Sequence, residues 1–230
     1  CNNGASFVEY MPAGMTVAIG QLEAPCDMYI GRRYCHPARG GNGTAQLTIT
    51  NGTFTGYVST MMVGANIQSP SVPGKSVGVL DLRNTTVSAF QISGHAFVGL
   101  CMESDNREAK GYLYLPNGTV NISSNLYIGD THSTSRGLVE LFGTHISVSN
   151  KCDIGPTGIV TNHVTGSSCG IDVASSDTND FSIAAGGKIH LIFEADPLVV
   201  GNDYWGMRMM GNNTNYFVSM QSMGKLSWTN

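Results

Sequence analysis

Charge is scarce in this chain. Charged residues fill 12% of its 230 positions, about half the roughly 25% of ordinary domains. Much of the surface must therefore be Ser, Thr, Asn and Gly. No basic block occurs and the net charge is −4, which argues against a nucleic-acid partner. No apolar run reaches the ~18 residues of a membrane-spanning helix. There is no CxxC pair, and the cysteine spacings match no zinc pattern. Neither H-E-x-x-H nor G-x-S-x-G occurs, so the usual metalloprotease and serine-hydrolase signatures are missing. No residue pattern calls for a cofactor. The sequence opens on Cys1 rather than Met, with no signal-peptide pattern, and a processed mature chain is the expectation.

Glycine, by contrast, is abundant at 29 residues, well above the roughly 7% average. The glycines lack a three-residue period, so collagen is excluded. They punctuate a repeat instead: GTAQLTITNGTFTGYVSTMMVG at 43–64, GVLDLRNTTVSAFQISGHAFVG at 78–99, GYLYLPNGTVNISSNLYIG at 111–129 and GLVELFGTHISVSNKCDIG at 137–155. An irregular earlier copy ends at Gly31. The closing glycines 31, 64, 99, 129 and 155 lie 33, 35, 30 and 26 residues apart. Repeats of this period stack as structural units.

Within each unit the first strand alternates. Leu47, Leu80, Leu113 and Val139 share one face with Ile49, Leu82, Leu115 and Leu141; Thr48, Asp81, Tyr114 and Glu140 take the other. A turn follows at Asn51-Gly52, Asn84-Thr85, Asn117-Gly118 and Phe142-Gly143, where positive φ is expected. A β-sandwich also has short strands and regular turns, but it does not need one motif repeated in one order. The expected fold is therefore all-β: a right-handed parallel β-helix of about five coils, with loops of free length after each glycine. Residues 1–187 form the repeats and their irregular first coil. Residues 188–230 form a C-terminal cap, with a strand over 188–200, a short helix near Asn213–Gly224 and a last strand at Lys225–Thr229.

The repeat G-x-L-x-L-x-N-G-T-V…L-x-I-G resembles the autotransporter-type and PEP-CTERM-type β-solenoid repeats of exported bacterial proteins. It matches at Gly111, Leu113, Leu115, Asn117, Gly118, Thr119, Val120, Leu126, Ile128 and Gly129. The tail resembles their C-terminal unit at Phe193, Glu194, Asp203, Tyr204, Trp205, Gly206, Gly224 and Leu226. The resemblance implies a parallel β-helix at a cell surface or in an extracellular structure, and implies no catalytic residue. The sorting motif of such proteins, with its hydrophobic anchor and basic end, is not seen in these residues, so the resemblance carries no membrane attachment.

Six cysteines, Cys1, Cys26, Cys35, Cys101, Cys152 and Cys169, allow three disulfides in any of 15 pairings. Cys1 could instead be lipidated or bond a neighbouring subunit. Six sequons start at Asn42, Asn51, Asn84, Asn117, Asn121 and Asn212; some of this is turn chemistry. Together they favour export to an oxidising compartment. His36, His95, His132, His145, His163 and His190 are scattered, and no metal site is expected. The carboxylate pairs Glu140 with Asp153, expected on neighbouring strands, and Glu194 with Asp196, close in sequence, meet the residue types of glycoside hydrolysis, but read as solvated faces or loop caps. The one basic pair, Arg32-Arg33, reads as an exposed turn. Methionines fill gaps in cores; Tyr204, Trp205 and Met207 could instead mark a subunit contact.

The functional expectation is an extracellular, glycosylated, self-assembling subunit that joins head to tail into a filament or surface layer. It has no nucleic-acid partner and no membrane span, and it is not an enzyme. A monomeric carbohydrate-binding adhesin is the alternative, and a polysaccharide-active enzyme the third reading.

Overall fold

The computed structural model describes residues 6–32, 42–65, 74–101, 107–131, 134–164, 169–174, 180–193, 205–209 and 225–229. The first unit holds β1 (Ser6–Met11), β2 (Thr16–Ile19) and β3 (Cys26–Ile30). The second is one long bent strand, β4 (Gly43–Val63); the third is β5 (Gly74–Ile92) with β6 (Ala96–Val98). Then come β7 (Arg107–Leu115), β8 (Gly118–Ile122) and β9 (Asn125–Ile128), followed by β10 (Arg136–Phe142), β11 (Thr144–Val148) and β12 (Lys151–Ile154). After these lie β13 (Gly158–Val164), β14 (Cys169–Val173) and β15 (Phe181–Ile183). The last strands are β16 (Lys188–Phe193), β17 (Trp205–Met209) and β18 (Lys225–Thr229).

These strands stack in three parallel ladders. The first runs β1–β4–β5–β7–β10–β13–β16. The second runs β2–β4–β5–β8–β11–β14–β17. The third runs β3–β4–β6–β9–β12–β15. The protein is a parallel β-solenoid. Four turns are regular, slightly fewer than the five expected; one less regular unit precedes them and two follow, β13–β15 and β16–β17. The expected boundary at 187/188 falls inside the stack, because β16 and β17 continue two ladders. The element that departs is β18, which runs antiparallel along β16. The short helix expected near Asn213–Gly224 lies outside the described residues.

The alternation read from the sequence fixes what faces inward. Leu80, Leu113, Val139, Val160 and Ile189 form one buried column of the first ladder. Val63, Val98, Ile128 and Ile154 form another in the third. Each such side chain contributes about 1.5–3 kcal/mol on burial, and stacking in register lets one column bury them all. Phe54 and Phe90 meet edge to face inside, with centroids 5.1 Å apart.

Two columns of glycine mesh at one corner of the coil. The closing glycines have positive φ: 64° at Gly31, 62° at Gly64, 68° at Gly99 and 71° at Gly129. A Cβ on Gly99 would stand 2.0 Å from the Arg136 carbonyl oxygen, and one on Gly64 1.8 Å from that of Lys110. The first-strand glycines interleave with them. A Cβ on Gly111 would stand 2.3 Å from the Gly99 nitrogen, and one on Gly137 2.2 Å from the Gly129 nitrogen. Backbone thus packs directly on backbone, which is why glycine opens and closes the repeat. Gly155 departs, since its φ is not positive; Pro156 follows it.

The other corner also differs from expectation. Asn51 (φ 52°), Gly118 (145°) and Gly143 (73°) have positive φ, but Asn84 and Thr85 do not. There β5 bends within a continuous strand, and the pairing with β4 slips around Thr48–Thr53. A buried hydroxyl steadies the bend: Thr85 Oγ1 donates to the Ile49 carbonyl at 2.7 Å. Thr144 does the same below, donating to Leu115 and Pro116 at 2.9 and 2.6 Å.

Candidate functional site

The outer side of the first ladder carries the most polar chemistry. The register lines up Thr48, Asp81, Tyr114, Glu140, Thr161 and His190 in one outward row. Arg83 lies two residues beyond Asp81 and so on the same side. Its Nε donates to Asp81 Oδ1 at 3.0 Å and its Nη2 to Oδ2 at 2.6 Å. The guanidinium also lies over the Tyr114 ring, 4.5 Å from the centroid. The Asp81 bonds push the Arg83 pKa up, and burial pushes the Tyr114 phenol up. Below, His163 stacks on Phe142 at 4.3 Å and reaches Glu140 at 3.9 Å.

This row binds more naturally than it reacts. Asp81 and Glu140 are two strand spacings apart, about 9.6 Å, at the outer edge of the range for inverting glycosidases. Tyr114 stands between them, and both Asp81 oxygens hold Arg83. The expected pairing of Glu140 with Asp153 on neighbouring strands is corrected. Glu140 is on β10 in the first ladder, while Asp153 is on β12 in the third, bonded to Lys151 at 3.0 Å and to Ser182 at 2.5 Å. Glu194 and Asp196 lie outside the described residues.

At the corner beside Arg83 the surface opens into a groove of about 680 Å³. Its lining includes Asn51, Arg83, Asn84, Thr86 and Asn117, with Val87 and Pro116 as apolar floor. The groove crosses four successive corners, from Gly14 to Asn117, a length of about 14 Å at one strand spacing per step.

The third ladder carries an outward column of Tyr29, Met62, Phe97 and Tyr127. The rings of Phe97 and Tyr127 stack with centroids 5.2 Å apart and planes 7° from parallel. His95 tilts against both, and Ser124 Oγ lies 3.2 Å from its Nδ1. Arg32 covers the Tyr29 ring at 4.2 Å. Phe97 and Tyr127 cover one face of each other and Arg32 one face of Tyr29, contacts that steady the stack.

The first unit shows a different feature. Among the described pairings, β1, β2 and β3 each have β4 as their one parallel neighbour. Among the described residues, this unit also holds the large apolar side chains left most open: Met15 at 43%, Leu22 at 59% and Tyr29 at 40% exposed.

Of the residues singled out in the sequence, Cys26 is an exposed thiol and Cys152 a fully buried one, its pKa pushed up by burial. No disulfide is seen among the described residues, so that expectation has no support from the structure. Cys101 is buried, and its backbone N–H donates to Asp130 at 2.7 Å. Cys169 is placed in β14; Cys1 and Cys35 lie outside the described residues. Asn42, Asn51, Asn84, Asn117 and Asn121 are all exposed, whereas Asn212 lies outside. Trp205 and Met207 belong to β17, in register with Cys169 and Ile171; Tyr204 lies outside. His145 pairs with Asp172 at 3.1 Å, and His36 and His132 lie outside. Among the described residues no group of three His, Cys, Asp or Glu could hold a metal, and no helix is long and apolar enough to cross a membrane.

The sequence reading passed over Arg83 and the groove. The signal was present, because alternation places residue 83 on the side of 81, immediately before a turn. No protein-family model, curated protein or solved structure matches this chain. Its own side chains therefore carry the functional argument.

Proposed function

We propose that this chain is an extracellular structural subunit that assembles head to tail into a filament or surface layer. The observation that carries the reading is the first unit, whose strands have no second neighbour among the described residues and which holds exposed Met15, Leu22 and Tyr29. Unpaired N–H and C=O groups on a strand edge are a template for another chain. The far side of the stack is unlike it, since β18 lies antiparallel on β16. Contact between two unlike surfaces is heterologous, and such contacts continue into fibres unless they close into rings. Five exposed sequon asparagines and the low charge support an exported surface. Disulfides are not part of this reading; pairing along the ladders would supply its resistance to proteolysis.

Electron microscopy and light scattering of the purified protein over rising concentration test it. Filaments or layers are expected, and Leu22→Lys together with Met15→Lys should disperse them while leaving the β-sheet circular dichroism unchanged. Monomers of the unaltered chain at high concentration, or assemblies indifferent to both substitutions, would overturn it.

A further inference from the structure

We infer that the corner groove binds a neutral oligosaccharide of about three sugar residues. This is a second function, independent of assembly. Three features of the groove point to that class of ligand.

The first is its lining. Asn51, Asn84 and Asn117 repeat on successive coils with Thr86 beside them, so amides and hydroxyls recur about every 4.8 Å. An amide offers both donors and acceptors, which is the mixture that sugar hydroxyls need. A spacing of one coil is close to the length of one pyranose residue, so a linear chain lying along the axis would meet one asparagine per coil, with Asn84 in register with Thr50 and so offset by a residue from Asn51.

The second is Arg83. Two of its five N–H donors hold Asp81 at 3.0 and 2.6 Å, and its plane rests on Tyr114 at 4.5 Å. The remaining donors are fixed in direction before any ligand arrives, which lowers the ordering cost of binding. Asp81 neutralises the guanidinium, so the groove presents directed donors without a net positive field. That favours hydroxyl oxygens over a polyanion.

The third is shape. The lining includes Gly14 and Gly52, which add no side chain, and the apolar Val87 and Pro116, which suit the C–H face of a sugar. The volume of about 680 Å³ lies within the ~300–1,000 Å³ of ligand sites.

The same three asparagines begin sequons, so the sugar could be a free oligosaccharide or a glycan attached to the protein itself. The test separates these sources. The full chain, made in a host without N-glycosylation and confirmed unmodified by intact mass, is titrated calorimetrically. The probes are linear gluco-, galacto-, manno- and N-acetylglucosamine oligosaccharides of three to six residues. At least one series should bind, gaining affinity up to about three residues and little beyond. Asn84→Ala with Asn117→Ala should weaken binding at least tenfold, and Arg83→Ala likewise, with the circular dichroism unchanged. Protein carrying a glycan on Asn84, confirmed by mass, should lose binding of the free probe. No binding of any probe at millimolar concentration would overturn the proposal. So would binding that survives the asparagine pair, or that is undiminished by a glycan on Asn84.

Discussion

Replacing Gly99 by alanine tests the glycine mesh directly. Gly99 has φ +68°, and a Cβ there would lie 2.0 Å from the Arg136 carbonyl oxygen. Left-handed backbone costs an L-residue about 1–2 kcal/mol. The contact cannot be relieved by turning a side chain, because the obstacle is backbone. Overpacking of this kind costs about 1–3 kcal/mol more, for a sum of roughly 2–5 kcal/mol. Small proteins are stable by about 5–15 kcal/mol, so this is a large fraction. At about 2–4 °C per kcal/mol for a chain of this size, the melting temperature should fall by roughly 5–20 °C. Gly14→Ala is the control. It has φ +80° but nothing within 4 Å of the added Cβ, so only the conformational cost of about 1–2 kcal/mol applies. Urea unfolding followed by circular dichroism measures both. Equal losses, or a loss below about 1 kcal/mol at Gly99, would refute the claim that backbone meshes with backbone there.

Three further outcomes are expected. Thr85→Val should cost about 1 kcal/mol by removing the bond to Ile49, whereas Thr119→Val, exposed on the next coil, should stay within about 0.5 kcal/mol; urea midpoints compare them. A thiol reagent should label Cys26 in the native protein and Cys152 only after unfolding, since burial hides Cys152 and keeps it protonated; equal labelling rates by mass spectrometry would contradict that placement. Glu108 is held below its usual value of 4.5 by Lys110 and then Lys75, so its contribution is present above pH 4.5 and is lost as pH falls through the depressed native value. Melting temperature should therefore be flat from pH 7 to about 5 and then decline, and Glu108→Gln should soften that decline by the ~0.2–1 kcal/mol of an exposed pair.

Much of this fold could be read before the structure, because a solenoid repeats its instructions. The alternation of Leu80 with Asp81 and of Leu113 with Tyr114 gave both faces of a strand. The closing glycine aligned the units, so Thr48, Asp81, Tyr114 and Glu140 could be placed in one row, where the register puts them. Lys225–Thr229 was legible as a strand, but its antiparallel direction along β16 was not, since direction depends on a partner far away in the chain. The pairing of Glu140 with Asp153 failed for the same reason. The two belong to one coil, and membership of a coil does not say which ladder a residue joins. The groove was hidden because it runs across four corners, and no single repeat contains it.

The glycine mesh also constrains how such a molecule can change in length. Residues inserted after a closing glycine leave every backbone contact in place, as the stretches of 13, 11 and 7 residues at 65–77, 100–110 and 130–136 already show. A residue inserted within a strand between Gly111 and Gly129 would instead turn every following side chain of that strand inside out. Heredity can therefore edit the loops one residue at a time, whereas a coil changes length at its corners, as the 22-residue repeats at 43–64 and 78–99 and the 19-residue repeats at 111–129 and 137–155 show. The column changes height only by whole coils. Lineages of this chain should differ in height by steps of one strand spacing, about 4.8 Å, as rungs are added to or taken from a ladder.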